Sequence, residues 1–282
     1  MTIEKLLVLT EEELRQHIIL VLKSKKIPYK VTDDYIFTQH KGIMPLVCVH
    51  TDIVGNIPPT KDQIVKSRGV LSVREDAKVL GADDRAGVYI ALGLLHRKDL
   101  NFAFFAQEET GGKGSTQFAM REDLEQYNAF IGLDRASRGG KQNVATYGYN
   151  NEGLIALFDF PESRGSMCDS SVLSGYCNIA CVNLSVGYEN EHSNKETLDL
   201  GLLQETLQVM KDLVVPYEVY TYEVQEMDWG FPDDFKSTWR SRGKYEAIVC
   251  DNCGTADILY MVDGMHICEL CIPEVEETYF IS

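Results

Sequence analysis

Four compact apolar runs stand out along this chain: residues 45–50 (PLVCVH), 101–107 (NFAFFAQ), 129–134 (AFIGLD) and 179–188 (IACVNLSVGY). Each is too short for a helix and is bounded by polar or glycine-bearing turns, which predicts buried strands. Weaker strand signals lie at 29–31 and 35–38, and residues 53–80 alternate turns with short strands. Between the runs the apolar spacing changes to that of a helix. Thr10 and Glu13 form a capping-box pair opening a helix to about Lys23, with Leu14, Ile18, Ile19, Val21 and Leu22 at helical spacing. Helices are predicted over 84–97, with Val88, Ala91, Leu92 and Leu95 on one face, over 115–121, weakly over 162–175, and strongly over 198–214. Residues 216–224 read as an edge strand. Strands alternating with helices predict an α/β sandwich around a mostly parallel central sheet. Ligands bind such sheets beyond the carboxyl ends of the strands.

Charge and cysteine usage narrow the function classes. The 282 residues include 27 basic and 43 acidic side chains, a net charge of −16. That balance disfavours nucleic acid and anionic membrane surfaces as partners. No apolar run reaches the roughly 20 residues needed to span a bilayer. The first residues, MTIEKLLVLTEEELRQ, lack a basic segment followed by an unbroken apolar one, so a cytoplasmic protein is expected. Of eight cysteines, Cys48, Cys168, Cys177 and Cys181 are scattered and are expected to be buried thiols in a reducing compartment. Asn183 opens a formal glycosylation sequon, which has no meaning without export.

Candidate chemistry gathers at the ends of the apolar runs. His50 in VHTD, Asp83 in GADDRAG, Glu109 in QEETGG, Asp134 in IGLD and His192 in NEHS supply two imidazoles and three carboxylates. That donor set suits a pair of zinc ions. Glu108 stands beside the set as a carboxylate free to move protons, so metal-assisted hydrolysis is expected. Asp52, two residues past His50, is placed to accept the second imidazole N–H or to act through solvent. In GADDRAG one carboxylate at a helix entrance can bridge two cations while the other caps the helix. TGGKGS does not satisfy the phosphate-loop pattern.

Taken in order, VHTD, GADDRAG, QEETGGKGS, IGLD and NEHS resemble the co-catalytic di-zinc exopeptidases, the group of aminopeptidases, peptidase T, carboxypeptidase G and aminoacylases. The resemblance covers about residues 10–215. It implies a three-layer sandwich in which Asp83 bridges two zinc (or cobalt or manganese) ions. His50 and Asp134 would complete one site, Glu109 and His192 the other, with Glu108 as general base and a cis Asp83–Asp84 peptide. Relatives with Asp at the fourth ligand are mostly amino- or dipeptidases, so Asp134 implies an aminopeptidase acting on peptide or aminoacyl substrates. Only 32 residues separate His50 from Asp83 and 57 separate Asp134 from His192, too few for the lid or dimerisation domain of many relatives. The rivals are an N-acyl amino acid or dipeptide hydrolase on the same site, and a catalytically idle peptide-binding scaffold.

The tail carries a second pattern. Cys250-x-x-Cys253 and Cys268-x-x-Cys271 are 14 residues apart and suggest a zinc ribbon with one structural ion. Residues 250–282 contain no Lys or Arg, so protein contact through the ribbon is preferred over nucleic acid. The expected organisation is a catalytic domain over 1–223, a linker or packing arm over 224–245, and the ribbon over 246–282. Self-association is left open.

Overall fold

A computed structural model describes residues 1–147, 152–177, 179–216, 259–262 and 265–268. The chain divides into two compact units, Met1–Glu226 and Met227–Ser282.

The first unit opens with α1 (Ile3–Leu7) and α2 (Glu11–Ser24), followed by β1 (Tyr29–Val31), β2 (Tyr35–Thr38) and β3 (Met44–His50). The Thr10–Glu13 capping box forms in both directions at the start of α2. A small hairpin, β4 (Ile64–Ser67) and β5 (Val70–Val73), precedes α3 (Ala82–Leu94). Then come β6 (Asn101–Phe105), α4 (Lys113–Arg121), β7 (Tyr127–Arg135), β8 (Val144–Thr146), α5 (Glu152–Ile155), β9 (Glu162–Arg164) and α6 (Asp169–Tyr176). The last elements of the unit are β10 (Cys181–Ser185), β11 (Tyr188–Glu189), β12 (Thr197–Asp199) and α7 (Leu200–Asp212).

The main sheet has eight strands in the order β1-β2-β6-β3-β7-β10-β8-β9. Its centre, β6-β3-β7-β10, is parallel throughout. One face packs Val47, Val49, Phe102, Phe104, Ile131 and Leu133 against residues of α1, α2, α3 and α7. The other packs Leu46, Cys48, Phe105 and Phe130 against Phe118 of α4 and Leu173 of α6. This is a three-layer α/β sandwich, and the four central strands are the predicted apolar runs. Buried on both faces, they read as continuous rather than alternating apolar segments. A second sheet, β11-β12-β5-β4, is antiparallel and flanks the region between His50 and α3.

Several local expectations change. Residues 162–164 are strand rather than helix, because they extend the main sheet beside β8, and the helix begins at Asp169. Residues 197–199 pair with β5, so the predicted 198–214 helix begins at Leu200. There Asp199 caps it, accepting the N–H groups of Gly201 and Leu202. Helix α3 ends at Leu94, before Arg97. Among the described residues no helix is long and apolar enough to cross a membrane.

In the second unit, β13 (Leu259–Val262) and β14 (Met265–Cys268) form an antiparallel hairpin. The 217–224 part of the predicted edge strand, the 224–245 arm, and Cys250, Cys253 and Cys271 lie outside the described residues, as does the Cys268 side chain.

Candidate metal centre

Register in the main sheet sets the geometry of the site. Cys48 of β3 pairs with Gly132 of β7, so His50 and Asp134, each two residues further on, come level at the carboxyl edge. Gly132 is required there, because a Cβ would press on the Asn183 side chain and on Ser170. Asn183 clamps the Asp134 backbone in both directions, accepting its N–H at 2.9 Å and donating to its carbonyl at 2.6 Å. The sequon asparagine is therefore a buried structural residue.

Gly81 adopts φ +73°, and Asp83 and Asp84 depart from helical backbone within the first turn of α3. The Asp83–Asp84 peptide is cis. Asp84 acts as the cap: one oxygen accepts the Gly87 N–H at 2.8 Å, and the other accepts the His50 N–H at 3.1 Å. Gly87 lets this turn approach β7, since a Cβ would collide with the Leu133 carbonyl and the Asp84 carboxylate. After β6 the chain turns sharply, with Gln107 at φ +59°, so Glu108 and Glu109 occupy a turn rather than extended chain. Their N–H groups both donate to Asp52, each at 3.1 Å.

The predicted residues converge. His50 Nε2 lies 3.0 Å from Asp83 Oδ1 and 3.4 Å from Asp134 Oδ1. His192 Nε2 lies 3.2 Å from Asp83 Oδ2 and 3.1 Å from Glu109 Oε2. Each oxygen of Asp83 thus faces its own imidazole and its own second carboxylate. Among the described residues, His50-Asp83-Asp134 and Asp83-Glu109-His192 are the two groups whose donor atoms all lie within 4.8 Å of one another. Donors around a tetrahedral zinc with bonds of about 2.0–2.1 Å stand roughly 3.3 Å apart, so these separations match the edges of such a shell. Glu109 Oε1 is buried without a hydrogen-bond partner, an orphan that a cation would satisfy.

Electrostatics point the same way. Burial pushes the Glu108 carboxyl up to about 9; the nearby carboxylates of Asp134, Asp169 and Asp83 add to the rise and His50 opposes it. Burial, reinforced by Asp83, raises Glu109 to about 7 and Asp134 to about 6. Burial also acts to raise Asp83, but hydrogen bonds from His192 and His50 outweigh it and hold the group well below the usual carboxylate range. The hydrogen bond to Asp83 lifts His192 to about 9. Burial disfavours the His50 cation, yet Asp134 and the other carboxylates raise it well above its ordinary value. This many carboxylates cannot all ionise without added positive charge, and a bound divalent cation would reverse the balance by ionising the acids and freeing the imidazoles.

The surrounding residues were not evident in sequence. Tyr188 donates its hydroxyl to Asp134 Oδ1 at 3.0 Å. Buried Arg85 donates to the Thr51 and Leu9 carbonyls. Glu196 accepts three backbone N–H groups around Asp83. Arg85 lies two residues past Asp83, and Tyr188 and Glu196 lie four residues to either side of His192, yet no spacing rule marks them. Asp52, 4% exposed, approaches His50 Nδ1 at 3.3 Å, off the line of a good hydrogen bond. Cys48 and Cys168 are buried free thiols; Cys181 is also buried, and Cys177 is half-buried.

Residues 38–160 match the model of peptidase family M28, a span holding His50, Asp52, Asp83, Glu108, Glu109 and Asp134 but not His192. No curated protein sequence matches the chain. Among solved structures, aminopeptidase PepT from Bacillus cereus aligns at 14% identity over 74% of this chain and 95% of its own, with TM-score 0.56. The TET1 peptidase of Pyrococcus horikoshii aligns at 16% identity over 71% and 93%, with TM-score 0.55. An aminopeptidase from the archaeon Desulfurococcus kamchatkensis aligns at 15% identity over 79% and 94%, with TM-score 0.56. The chain thus shares the fold of these aminopeptidases, and its residues 38–160 resemble peptidase family M28, which together support a metal-dependent peptide hydrolase.

Proposed function

We propose that this protein is an aminopeptidase that releases N-terminal amino acids from peptides at a two-metal centre. His50, Asp83 and Asp134 would hold one ion, and Asp83, Glu109 and His192 the other. The observation that carries this reading is the division of Asp83, whose Oδ1 faces His50 at 3.0 Å while its Oδ2 faces His192 at 3.2 Å. Nitrogen and carboxylate donors suit zinc, and cobalt or manganese can take the same set. When bound, such a pair supplies Lewis acidity and lowers the pKa of a shared water.

Glu108 is the proton carrier. One of its carboxylate oxygens takes a proton from the attacking water and later delivers it to the leaving amine. Asp52 fixes the Glu108–Glu109 turn through both backbone N–H groups and stands against the outer nitrogen of His50. Tyr188 and Asn183 hold Asp134. Asp at this position, rather than Glu, favours a free-amine substrate, by the resemblance described above.

The paired cysteines 250, 253, 268 and 271 are read as the ligands of one structural zinc, on their spacing alone. The buried free thiols Cys48 and Cys168 support a reducing, cytoplasmic setting. Self-association is supported only by likeness to the TET1 peptidase, which can assemble into a tetrahedron or a large octahedral shell.

The test is a panel of aminoacyl amides, short peptides and their N-acetylated counterparts, assayed with metal content measured on the full chain. Cleavage of free-amine substrates, abolished by a chelator and restored by zinc or cobalt, is expected. Preference for the acetylated set would establish an acylase instead. No amino-acid release from any member would leave a binding scaffold.

A further inference from the structure

Glu196 is 1% exposed and lies four residues past His192. Both of its carboxylate oxygens are committed. Oε2 accepts the N–H of Leu80 at 2.9 Å and of Gly81 at 2.8 Å, and Oε1 accepts the N–H of Asp83 at 2.9 Å. Its own N–H donates to the Ser193 carbonyl at 3.2 Å, and Thr197 immediately after it enters β12 opposite Ser72. One side chain therefore ties the loop that carries His192 to the backbone that presents Asp83. Asp83, Glu109, His192 and Glu196 line the same narrow crevice, walled by Ile53 and Val79.

The two candidate metal positions are held very differently. His50 and Asp134 sit on paired central strands, and the His50 side chain is 1% exposed. His192 sits in a loop at φ +61°, and its side chain is 51% exposed. No packing comparable to that around His50 holds its ring, so its position depends on the loop's anchor.

We infer that Glu196 is a positioning residue for the metal held by Asp83, Glu109 and His192, acting through the backbone of residues 80–83 and through the His192 loop. This rests on the two-metal reading above. Asp83 is also held from the other side by Asp84, which bonds the His50 and Gly87 amides, so the His50-Asp83-Asp134 position keeps its geometry without Glu196. Partners of this kind change metal affinity by about 10–100-fold. Loss of Glu196 should therefore split the two affinities rather than lower both.

Metal-free full chain is titrated with cobalt in the visible region, and ions at the tail cysteines are set apart by their thiolate charge-transfer band. Wild type is expected to take up two non-thiolate ions. Glu196→Gln, which keeps one acceptor oxygen and sets an amide N–H₂ against backbone donors, should weaken one step at least tenfold and leave the other within about twofold. The loss should appear in kcat for peptide cleavage more than in KM. Glu196→Asp keeps the charge but is one methylene too short to span the three amides, and it should show the same split. Two ions bound by the variants with wild-type affinities, or both steps weakened alike, overturns the proposal and leaves the two-metal reading intact. Fewer than two non-thiolate ions in wild type overturns that reading and this proposal with it. If neither variant gives a native circular dichroism spectrum, Glu196 is a folding residue and the positioning role is wrong.

Discussion

Asp52 accepts the backbone N–H of Glu108 at 3.1 Å while its same oxygen, Oδ1, stands 3.3 Å from Nδ1 of His50. A single carboxylate therefore fixes the turn of the proposed proton carrier and stands against the outer nitrogen of a proposed ligand. Asp52→Ala should lower kcat and weaken metal binding by about 10–100-fold. Asp52→Asn keeps one acceptor and should lie between the two. Steady-state kinetics with metal competition against a chelator would check this; unchanged metal affinity in the alanine variant would show that Asp52 does not orient His50.

Glu108 contributes no donor atom to either metal group. Glu108→Ala should therefore keep its metals and lose roughly 100- to 10,000-fold in turnover, the range for removing a general base. Elemental analysis alongside the peptide assay separates this from loss of a ligand. Glu109→Ala, by contrast, should lose metal as well as activity.

Metal-free protein should respond to pH in a direction that metal reverses. Glu108, Glu109 and His192 all have folded-state values raised, to about 9, 7 and 9. A raised value means tighter proton binding in the folded state, so the contribution is full below the unfolded value and is lost as pH climbs through the folded one. Chelated protein should therefore melt at progressively lower temperature between about pH 5 and pH 9. Asp83, held low, works in the opposite sense but only in the acid range below that window. Zinc competes with the same protons, so the stabilisation it adds should grow across the window. Thermal melts with and without chelator at several pH values test the sign; a chelated protein that gains stability toward pH 9 would falsify this charge arrangement.

Gly87 lies where the turn bearing Asp83 and Asp84 meets β7, and a methyl group there would strike the Leu133 carbonyl and the Asp84 carboxylate. Gly87→Ala should cost about 1–3 kcal/mol by overpacking and should also disturb metal binding through Asp84. Urea unfolding of the metal-free and zinc-loaded chains would resolve the two effects. An alanine variant as stable as the parent would mean that α3 can withdraw from the sheet.

The amino-acid pattern alone was enough for the four central strands, for α2 with its capping box, and for the positions of His50, Asp83, Glu108, Glu109 and Asp134. A buried parallel strand must be apolar along its length, and the candidate residues His50 and Asp134 lie at the carboxyl ends of two such strands, so both are written locally. The same local reading failed at 162–164 and 198–199, where pairing with β8 and β5 makes strand of residues whose own pattern looks helical. Three-dimensional packing alone could show that Asp83 turns one oxygen to each imidazole, that Asn183 clamps Asp134, and that Glu196 fastens the His192 loop beneath Asp83. A buried polar side chain takes its role from whichever amides the fold leaves facing it, and those amides can lie more than a hundred residues away, as Asp83 does from Glu196.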